Sequence, residues 1–370
     1  MQTRIISNFE DFKNLKEQWN DLLKRSSFNT IFLTHEWVES WWEFYGKNNE
    51  LFIVVAEKDN ALVGIAPMMI KKDVGRKLQF ISDDLSDYLD FIVEASSAEN
   101  VFSLLIKIVF LGFGKYDWIE FKGLSEESAN FPFWKEALGD RLNPFVKAIC
   151  VDLPSQGKNW DEFCSTLPKK RRNDLKRTLN LLQEEGAIRS ATFTDYESIK
   201  NNLHCLVKLH KKRWGQKQGR SQFDDPETSE YYLSQAKKLA GNGWVQLTCM
   251  WHDFRLVSAA LCYTYNDRYY YYLPSFNPAF SRYSPGNLLI KSLIQNAYAK
   301  GDNIFDLIKG EEEYKYSWAK NSVQLYRAHI FNETFQGKLI SVYSRVFNWI
   351  YLRLSRINWL KRLRNKLIKY

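Results

Sequence analysis

The chain has 370 residues, of which 45% are hydrophobic and 16% are aromatic. This length and composition favour two domains or two lobes around a packed core, and they exclude a disordered or low-complexity chain. The formal net charge is +9, but residues 337–370 contain nine basic and no acidic residues. Residues 1–336 are therefore formally neutral, which disfavours a general nucleic-acid-binding protein.

Targeting and metal-binding signals are weak throughout the sequence. No apolar segment follows a basic start, so we expect no signal peptide, and the longest apolar run, 101–113, is too short to span a bilayer. The five cysteines are scattered and form no Cys-x-x-Cys pair, which indicates reduced thiols in a cytoplasmic protein. The five histidines have no metal-ligand spacing, so we predict no metal.

Residues 1–150 are predicted to form a mixed α/β lobe. Thr34 is a candidate N-cap for a tryptophan-rich helix over 35–45. Periodicity predicts further helices over 11–26 and 98–110, and strands over 51–56, 61–70, 78–80, 89–93 and 118–121. Asp87 and Tyr88 lie in a turn between two of these strands, where they either line an acceptor pocket or form a solvated turn.

A second lobe is predicted over residues 151–335, beginning with helices over 160–167 and 169–185. The second of these helices opens with six basic residues in nine and ends at Gly186. Its basic face fits a solvated surface, an acidic acceptor, an anionic membrane or RNA. A helix over 199–214 follows, then a loop over 215–225, a helix over 229–240, and strands over 244–251, 255–265 and 268–273.

The last of these strands leads into a pattern typical of phosphate sites. The aromatic strand is expected to break at Pro274 and Pro278, and a polar loop then leads into a helix that Gly301 ends, followed by a strand over 303–308. The N-terminus of such a helix offers backbone N–H groups and a positive dipole end to an anion. The candidate cofactor-binding residues are Arg282, Tyr283, Ser284, Pro285, Gly286, Asn287 and Leu288. Ser284 and Asn287 also fit as simple helix caps.

This stretch resembles the GNAT-type acetyltransferases of the CelD-like, FemAB-related group. The resemblance rests on the tyrosine-rich strand, the Tyr-Ser-Pro-Gly loop and the motifs that follow in order, namely Tyr269 to Tyr272, Tyr283 to Gly286, Phe305-Asp306-Leu307, Gly310-Glu311, Tyr314-Lys315 and Trp318. It extends to the helix at Trp37 and Trp41 and to the turn at Asp87 and Tyr88. It implies an α/β fold of two tandem acetyltransferase-like lobes, of which the first lacks a phosphate loop.

The resemblance also implies a reaction and its participants. The second lobe would bind acetyl-CoA or another acyl-CoA as co-substrate, and an amine or hydroxyl acceptor would lie between the lobes. Members of the group are often associated with cell-surface polysaccharide or lipid-linked glycan assembly, so an amino sugar is a plausible acceptor. The motif His210-x-x-Arg213-Trp214 resembles the group's pattern before its mobile loop, which makes Arg213 and Trp214 candidate acceptor contacts. Tyr314, from the Tyr314-Lys315 motif, is a further candidate acceptor contact.

Acyl transfer from a thioester needs donors for an oxyanion, a base for the acceptor and an acid for the leaving thiolate. The candidate catalytic residues are Asp306, Glu311, Tyr272, His210 and Lys315. Each also has a structural interpretation, as a cap, a solvated acid, a sheet aromatic or a core histidine. No nucleophile elbow or cysteine triad occurs, so no covalent enzyme intermediate is expected.

Residues 336–370 are predicted to form a basic amphipathic helix, with Trp349 and Trp359 as interfacial anchors. Such a helix can lie on an anionic membrane on the cytoplasmic side, or pack on the protein or on a partner. Two alternatives to an acyl-CoA enzyme follow. A FemAB-like enzyme would use aminoacyl-tRNA, and a non-enzymatic protein would dock on the membrane as a component of a polysaccharide biosynthesis complex.

Overall fold

The structure, a computed structural model, describes residues 1–153, 160–319, 321–334 and 336–343. The strands in chain order are β1 (Gln2–Ile6), β2 (Asn49–Lys58), β3 (Ala61–Asp73), β4 (Gly75–Phe80), β5 (Ile92–Val93), β6 (Trp118–Ser125), β7 (Leu142–Asp152), β8 (Ile188–Phe193), β9 (Val245–His252), β10 (Arg255–Tyr265), β11 (Arg268–Phe276), β12 (Ile304–Lys309) and β13 (Ser322–Phe331). The helices are α1 (Phe9–Lys13), α2 (Lys16–Arg25), α3 (His35–Tyr45), α4 (Ala98–Leu111), α5 (Phe131–Leu138), α6 (Trp160–Thr166), α7 (Lys169–Glu185), α8 (Tyr196–Gln218), α9 (Pro226–Ala240), α10 (Pro285–Lys300) and α11 (Glu313–Tyr316).

One continuous mixed sheet joins the two lobes. Its strand order is β1-β2-β3-β4-β6-β13-β7-β12-β11-β10-β9-β8, with β5 paired to β3 at the side. Strand β13 comes from the end of the second lobe, yet it lies between β6 and β7 and pairs with both. The predicted lobe boundary at residue 150 falls within β7. The lobes therefore share their central strands instead of meeting across a linker.

In the first lobe, local sequence signals explain most elements. The predicted helix over 35–45 is confirmed as α3, and the Thr34 side chain accepts a hydrogen bond from the Trp37 N–H as its N-cap. Helix α4 packs against β2 and β3, where Gly64 allows the close approach, because a Cβ built on Gly64 would lie 2.4 Å from Val101 Cγ1. Residues 51–56 of β2 are all buried, so both faces of this strand are covered.

In the second lobe, β8 to β11 form an antiparallel meander, and β12 then pairs parallel to β11. The chain crosses from β11 to β12 through α10, as a parallel pair requires. Leu293 and Ile294 of α10 belong to a core on one face of the sheet. Leu206 and Leu209 of α8 belong to the other core, which continues into the first lobe.

Strands β11 and β12 separate soon after they pair. Their register ends at Tyr270 and Asp306, although β11 continues to Phe276. Ile308 then adopts a positive φ of 57°, which is a rare conformation for a β-branched residue. The Asp306 carboxylate accepts the Ile308 N–H at 2.7 Å and so holds this turn in place. The divergence leaves an opening at the C-terminal end of β11.

Asp306 is fully buried at the seam between the lobes. Its Oδ2 accepts a hydrogen bond from the Tyr88 hydroxyl at 2.7 Å and pairs with the Arg268 guanidinium at 3.1 Å. Arg268 also pairs with Glu127 of the first lobe at 3.2 Å. Burial raises the pKa of Asp306, and the charge of Arg268 opposes that rise. The seam therefore depends on an ion pair that is almost entirely removed from water.

Several expectations from the sequence are corrected. The helix predicted over 11–26 is two helices, α1 and α2, and the aromatic strand does not break at Pro274 but continues to Phe276. Pro274 is tolerated because β11 has only β10 as a partner at this end, so an N–H on the open side is not needed. The loop predicted over 215–225 is wrong in its first part, because α8 continues to Gln218 and ends at Gly219 in the left-handed conformation.

Five of the described elements were not predicted, namely β1, α5, β8, α11 and β13. Strands β1 and β8 are the two edges of the sheet, with mixed or exposed side chains and therefore little apolar periodicity. The predicted basic tail helix lies mostly outside the described residues. Residues 336–343 are helical, with Leu339, Val342 and Tyr343 exposed.

Replacing Arg268 with methionine should destabilise the protein in a pH-dependent way. We expect Arg268→Met to lower the free energy of unfolding by about 3–5 kcal/mol near neutral pH, because it leaves a buried carboxylate unpaired. The loss should shrink as the pH falls toward about 4, since a raised carboxyl pKa makes the protonated form the favoured one in the folded state. Urea unfolding across this pH range measures the effect.

Glu127→Gln serves as the matched control for this prediction. It removes the other, half-exposed partner of Arg268 and should cost less than about 1 kcal/mol at any pH. An Arg268→Met protein as stable as Glu127→Gln near neutral pH would contradict the role given to the Asp306 pair.

Candidate active site

A cavity of about 220 Å³ lies at the opening beside β11. Strand β11 supplies one wall, the N-terminus of α10 and its preceding loop supply a second, and α8 and α11 complete it. The lining residues are Arg213, Tyr271, Pro274, Ser275, Phe276, Ser281, Ser284, Pro285, Gly286, Asn287, Ile290 and Tyr314. Because β12 has turned away, β11 has no strand partner on this side beyond Tyr270 within the described residues.

The start of α10 presents an anion-binding surface to the cavity. Ser284 is the N-cap in the left-handed conformation, with φ 50° and ψ 53°, and Pro285 occupies the first helical turn without needing a donor. Gly286 provides space rather than an unusual φ, because an added Cβ would meet only Phe276 Cδ1 at 3.7 Å. The helix dipole favours a bound anion at this end, where the N–H groups of Asn287 and Leu288 already donate to the Ser284 carbonyl oxygen, at 2.9 and 3.2 Å.

Of the seven predicted cofactor-binding residues, four line the cavity and three do not. Ser284, Pro285, Gly286 and Asn287 line the cavity. Leu288 is buried in the core beneath α10. The side chains of Arg282 and Tyr283 lie against Glu185 of α7, to which both are hydrogen-bonded, and neither lines the cavity.

Two half-buried arginines lie at the cavity or behind its wall: Arg213 lines it, and Arg171 contacts the lining residue Asn287. The Arg213 guanidinium lies over the Phe276 ring, 4.3 Å from its centroid, and Arg171 lies over Trp318 at 4.2 Å. Burial lowers the pKa of both groups, that of Arg171 to about 10. Within the described residues neither guanidinium forms an ion pair with a carboxylate. Positive charge held this way, without a carboxylate partner, is suited to an anionic ligand.

Arg171 was not singled out from the sequence. It lies within the predicted basic run, but its neighbours Lys169, Lys170 and Arg172 are exposed, whereas Arg171 is turned inward. Its Nη2 donates to Asn287 Oδ1 at 2.7 Å, and among the described residues its Nε has no partner. Arg171 therefore orients a residue of the α10 N-terminus, although more than 100 residues separate the two in sequence.

The tyrosines of β11 and α11 take different positions. Tyr271 and Tyr314 line the cavity, and burial raises the pKa of both hydroxyls. Tyr272 points to the other face, where its hydroxyl donates to the Leu85 carbonyl at 2.6 Å and its ring contacts Trp37 and Tyr263. Tyr272 therefore joins the two lobes, with its hydroxyl already engaged by the backbone.

The predicted acids and Lys315 lie outside the cavity lining. Asp306 is enclosed at the lobe seam, and Glu311 is exposed and accepts a hydrogen bond from the Tyr316 hydroxyl at 3.1 Å. Lys315 is buried and donates to the carbonyl oxygens of Ile308 and Lys309 while pairing with Glu312 at 2.9 Å. Lys315 therefore stabilises the end of β12, where Ile308 has its positive φ.

The turn at Asp87 and Tyr88 is not solvent-exposed. Asp87 is buried, and its carboxylate pairs with Lys309 Nζ at 2.8 Å and accepts the Lys309 N–H at 3.2 Å. Tyr88 donates to Asp306. Asp87 and Tyr88 thus lie at the lobe seam next to the β12 turn, and their partners from the second lobe are Lys309 and Asp306.

His210 is enclosed between α8 and the segment that follows it. Its Nδ1 is 2.8 Å from Ser221 Oγ, and its ring packs on Trp214 and Phe223. Burial, with a further contribution from Arg213, lowers the pKa of His210 to about 4. In the predicted motif His210-x-x-Arg213-Trp214, Arg213 lines the cavity, and His210 and Trp214 do not.

Replacing His210 should change how stability depends on pH. Because its folded pKa lies below the ordinary value, its contribution to stability is present above about pH 6.5 and is lost as the pH falls through about 4, by roughly 3 kcal/mol at most. His210→Gln should remove this part of the pH dependence. Urea unfolding at about pH 7 and at about pH 4.5 measures the difference.

His204→Gln is the control, since His204 is exposed on the same helix, where its ring nitrogens contact the Asn201 carbonyl oxygen at 2.9 Å and Cys205 Sγ at 3.5 Å. An unchanged pH dependence in His210→Gln, equal to that of the control, would contradict the enclosed, neutral state of His210.

The described residues contain no group of three or more histidine, cysteine or acidic side chains placed to hold a metal ion. Among the same residues, no helix combines the length and the apolarity needed to cross a bilayer.

The fold and the cavity define a class of protein: a two-lobed α/β protein with an anion-binding helix N-terminus at a point where two parallel strands separate. Residues 169–316 match the family model of the acetyltransferase (GNAT) domain. This range runs from the start of α7 to α11 and contains the whole cavity. The second lobe therefore matches the GNAT domain over this range, in agreement with the motifs in the sequence, and the α/β fold class is confirmed.

Solved structures share the architecture of the whole chain. FemX aligns with a TM-score of 0.62 at 12% identity, covering 92% of this chain and 99% of its own. The C-terminal domain of a putative lysylphosphatidylglycerol synthetase from Agrobacterium fabrum aligns with a TM-score of 0.55 at 13% identity, covering 89% and 95%. L-PGS from Bacillus licheniformis gives 0.53 at 13%, covering 88% and 95%. At these identities the likeness is one of fold. No curated protein sequence matches this chain.

Proposed function

We propose that this protein transfers an acetyl or other acyl group from acyl-CoA to an amine or hydroxyl acceptor. The observation that carries the proposal is the cavity at the α10 N-terminus, with two guanidinium groups without carboxylate partners in or behind its wall. A diphosphate has the charge and the acceptor oxygens that such a surface satisfies. The GNAT domain match supports acyl transfer as the reaction class.

The donor would lie along the open side of β11. Its diphosphate would lie at the N-terminus of α10 beside Gly286, with Arg213 in the cavity wall and Arg171 behind Asn287. Its thioester end would reach the unpaired stretch at Ser275 and Phe276. The free side of a strand supplies donors for an extended ligand in the way that a neighbouring strand would.

The acceptor would lie at the seam between the lobes, near Asp87 and Tyr88. Asp87 contacts the β12 turn through Lys309, which connects it to the second lobe. A hydroxyl- or amine-bearing sugar, free or attached to a cell-surface glycan or lipid, is the acceptor class we propose. The buried Asp306 would act by holding Tyr88 and the turn, and not by contact with substrate.

Donor binding can be tested at Gly286. We expect the wild-type protein to bind acetyl-CoA with micromolar affinity in calorimetry. Gly286→Trp should weaken binding by about 100-fold or more, because the indole would occupy the cavity. A Cβ on Gly286 would already lie 3.7 Å from Phe276 Cδ1, so the larger side chain must extend into the space for the ligand.

Gly241→Trp is the matched control. Gly241 follows α9 with φ −60°, and a Cβ there meets nothing within 4 Å, so the same side chain should leave binding unchanged. Failure of the well-folded wild type to bind acetyl-CoA or longer acyl-CoA would contradict the donor.

A second candidate is an aminoacyl-tRNA donor. The exposed basic face of α7 supports it, because Lys169, Lys170 and Arg172 lie beside Arg171 and hence beside the mouth of the cavity. Such binding would weaken steeply as salt increases. In the calorimetry above, binding of tRNA at low salt without binding of acyl-CoA is the outcome that would favour this donor.

Membrane contact through the C-terminal segment is also proposed. The segment carries the whole excess of positive charge, and the described helix at its start exposes Leu339, Val342 and Tyr343 at helical spacing. Basic and apolar side chains combined in this way bind anionic lipid surfaces. The role fits an enzyme with a lipid-linked acceptor, and it equally fits a non-enzymatic component of a biosynthetic complex.

Vesicle flotation tests the membrane proposal. We expect the full chain to float with vesicles that contain anionic phosphatidylglycerol and to stay in solution with phosphatidylcholine alone. Deletion of residues 340–370 should abolish flotation while leaving acetyl-CoA binding intact. Equal flotation of the full and the shortened chain would contradict the proposal.

A further inference from the structure

One residue that lines the cavity, Ser275, has a hydroxyl that forms no hydrogen bond to the described residues. Ser275 lies near the end of β11, and 2% of its surface is exposed. A buried hydroxyl without a partner costs about 1–3 kcal/mol relative to one that is satisfied. Such a group in a ligand cavity is best explained by a partner that arrives with the ligand.

The position of Ser275 in the strand is informative. Pairing with Ala259 of β10 fixes its backbone, whereas on the other side β12 has already turned away. The preceding residue is Pro274, which has no N–H to offer to a ligand. At the point where an extended donor would run along β11, the proline therefore removes one backbone hydrogen-bond donor, and the next side chain supplies a hydroxyl.

We infer that Ser275 Oγ–H donates a hydrogen bond to the carbonyl oxygen of the bound thioester and stabilises the oxyanion that forms there. This inference rests on the proposed acyl-CoA function. The acceptor's lone pair attacks the carbonyl carbon, the new bond forms, and the π electron pair moves to the oxygen that Ser275 contacts. The carbonyl then re-forms, the C–S bond breaks, the thiolate takes a proton, and the acceptor nitrogen or oxygen loses one.

Ser275 is a hydrogen-bond donor in this step and not a nucleophile. It forms no covalent bond, and it is unchanged at the end. Its hydroxyl is most useful when the oxygen carries negative charge, because a donor fixed in a site that excludes water needs no reorganisation to meet that charge. The hydroxyl is fixed by the strand, and the side chain is one of the least exposed that line the cavity.

The chain contains a matched control for the test. Ser258 of β10 is also buried, and its Oγ also lacks a partner in the described residues, but it does not line the cavity. Ser258→Ala and Ser275→Ala remove the same atom from neighbouring strands. Neither change should destabilise the fold, because each removes a buried hydroxyl that makes no hydrogen bond.

The test needs no knowledge of the acceptor. Infrared difference spectroscopy of acetyl-CoA labelled with carbon-13 at the carbonyl reports its hydrogen bonding, and a bond from Ser275 should lower the stretching frequency on binding. Calorimetry should show acetyl-CoA binding about 3- to 10-fold more tightly than S-ethyl-CoA, which lacks the carbonyl oxygen. Affinity for CoA itself should not depend on Ser275.

We expect Ser275→Ala to lose both the frequency shift and the preference over S-ethyl-CoA, Ser275→Thr to retain them, and Ser258→Ala to behave as wild type. A frequency shift of equal size in Ser275→Ala would overturn the role of Ser275 and leave the donor site standing. If the wild-type protein binds neither acetyl-CoA nor CoA, the proposed function fails, and the inference fails with it.

Discussion

The divergence of β11 and β12 after Tyr270 and Asp306 is the constraint on which the rest of the molecule depends. The two strands are parallel neighbours, and without a local cause they would continue to pair. Asp306 supplies that cause, because its carboxylate accepts the N–H of Ile308 and holds that residue in a left-handed conformation. The same carboxylate is bound by Tyr88 from the first lobe. One buried side chain therefore opens the cavity and fastens the two lobes together.

The chemistry of the opening follows from what surrounds it. The open side of β11, the first turn of α10 and the Arg213 guanidinium face one cavity, and Arg171 contacts its lining residue Asn287. The acidic side chains nearby are engaged elsewhere. Asp306 is paired with Arg268, and Asp87 is paired with Lys309. Charge is thus neutralised where the lobes meet and left uncompensated where a ligand would enter. This separation explains how one sheet can be both a rigid frame and a binding surface.

The order of the strands explains why the lobes cannot be treated as independent. Strand β13 lies between β6 and β7, so the end of the second lobe completes the sheet of the first. Aromatic packing adds to this connection, since Tyr272 of β11 contacts Trp37 of α3 and donates to the Leu85 carbonyl. Tyr271 and Tyr272 are adjacent in sequence, yet one faces the cavity and the other the seam, as the alternation of a strand requires. Neither role can be assigned from the composition of the strand alone.

The sequence by itself determined the elements whose signals are local. Thr34 and the helix after it, the hairpin of β2 and β3, and the strand–loop–helix from Tyr269 to Gly301 follow from capping, periodicity and turn residues, and the motif order identified the GNAT domain. Tertiary structure alone decided the rest. Arg171 reaches Asn287 across the fold, Asp306 is enclosed instead of exposed to substrate, Pro274 is accommodated because β11 has one open side, and Ser275 lines the cavity. These outcomes depend on which strands become neighbours and where they separate, and pairing between distant segments leaves no periodic pattern in the chain.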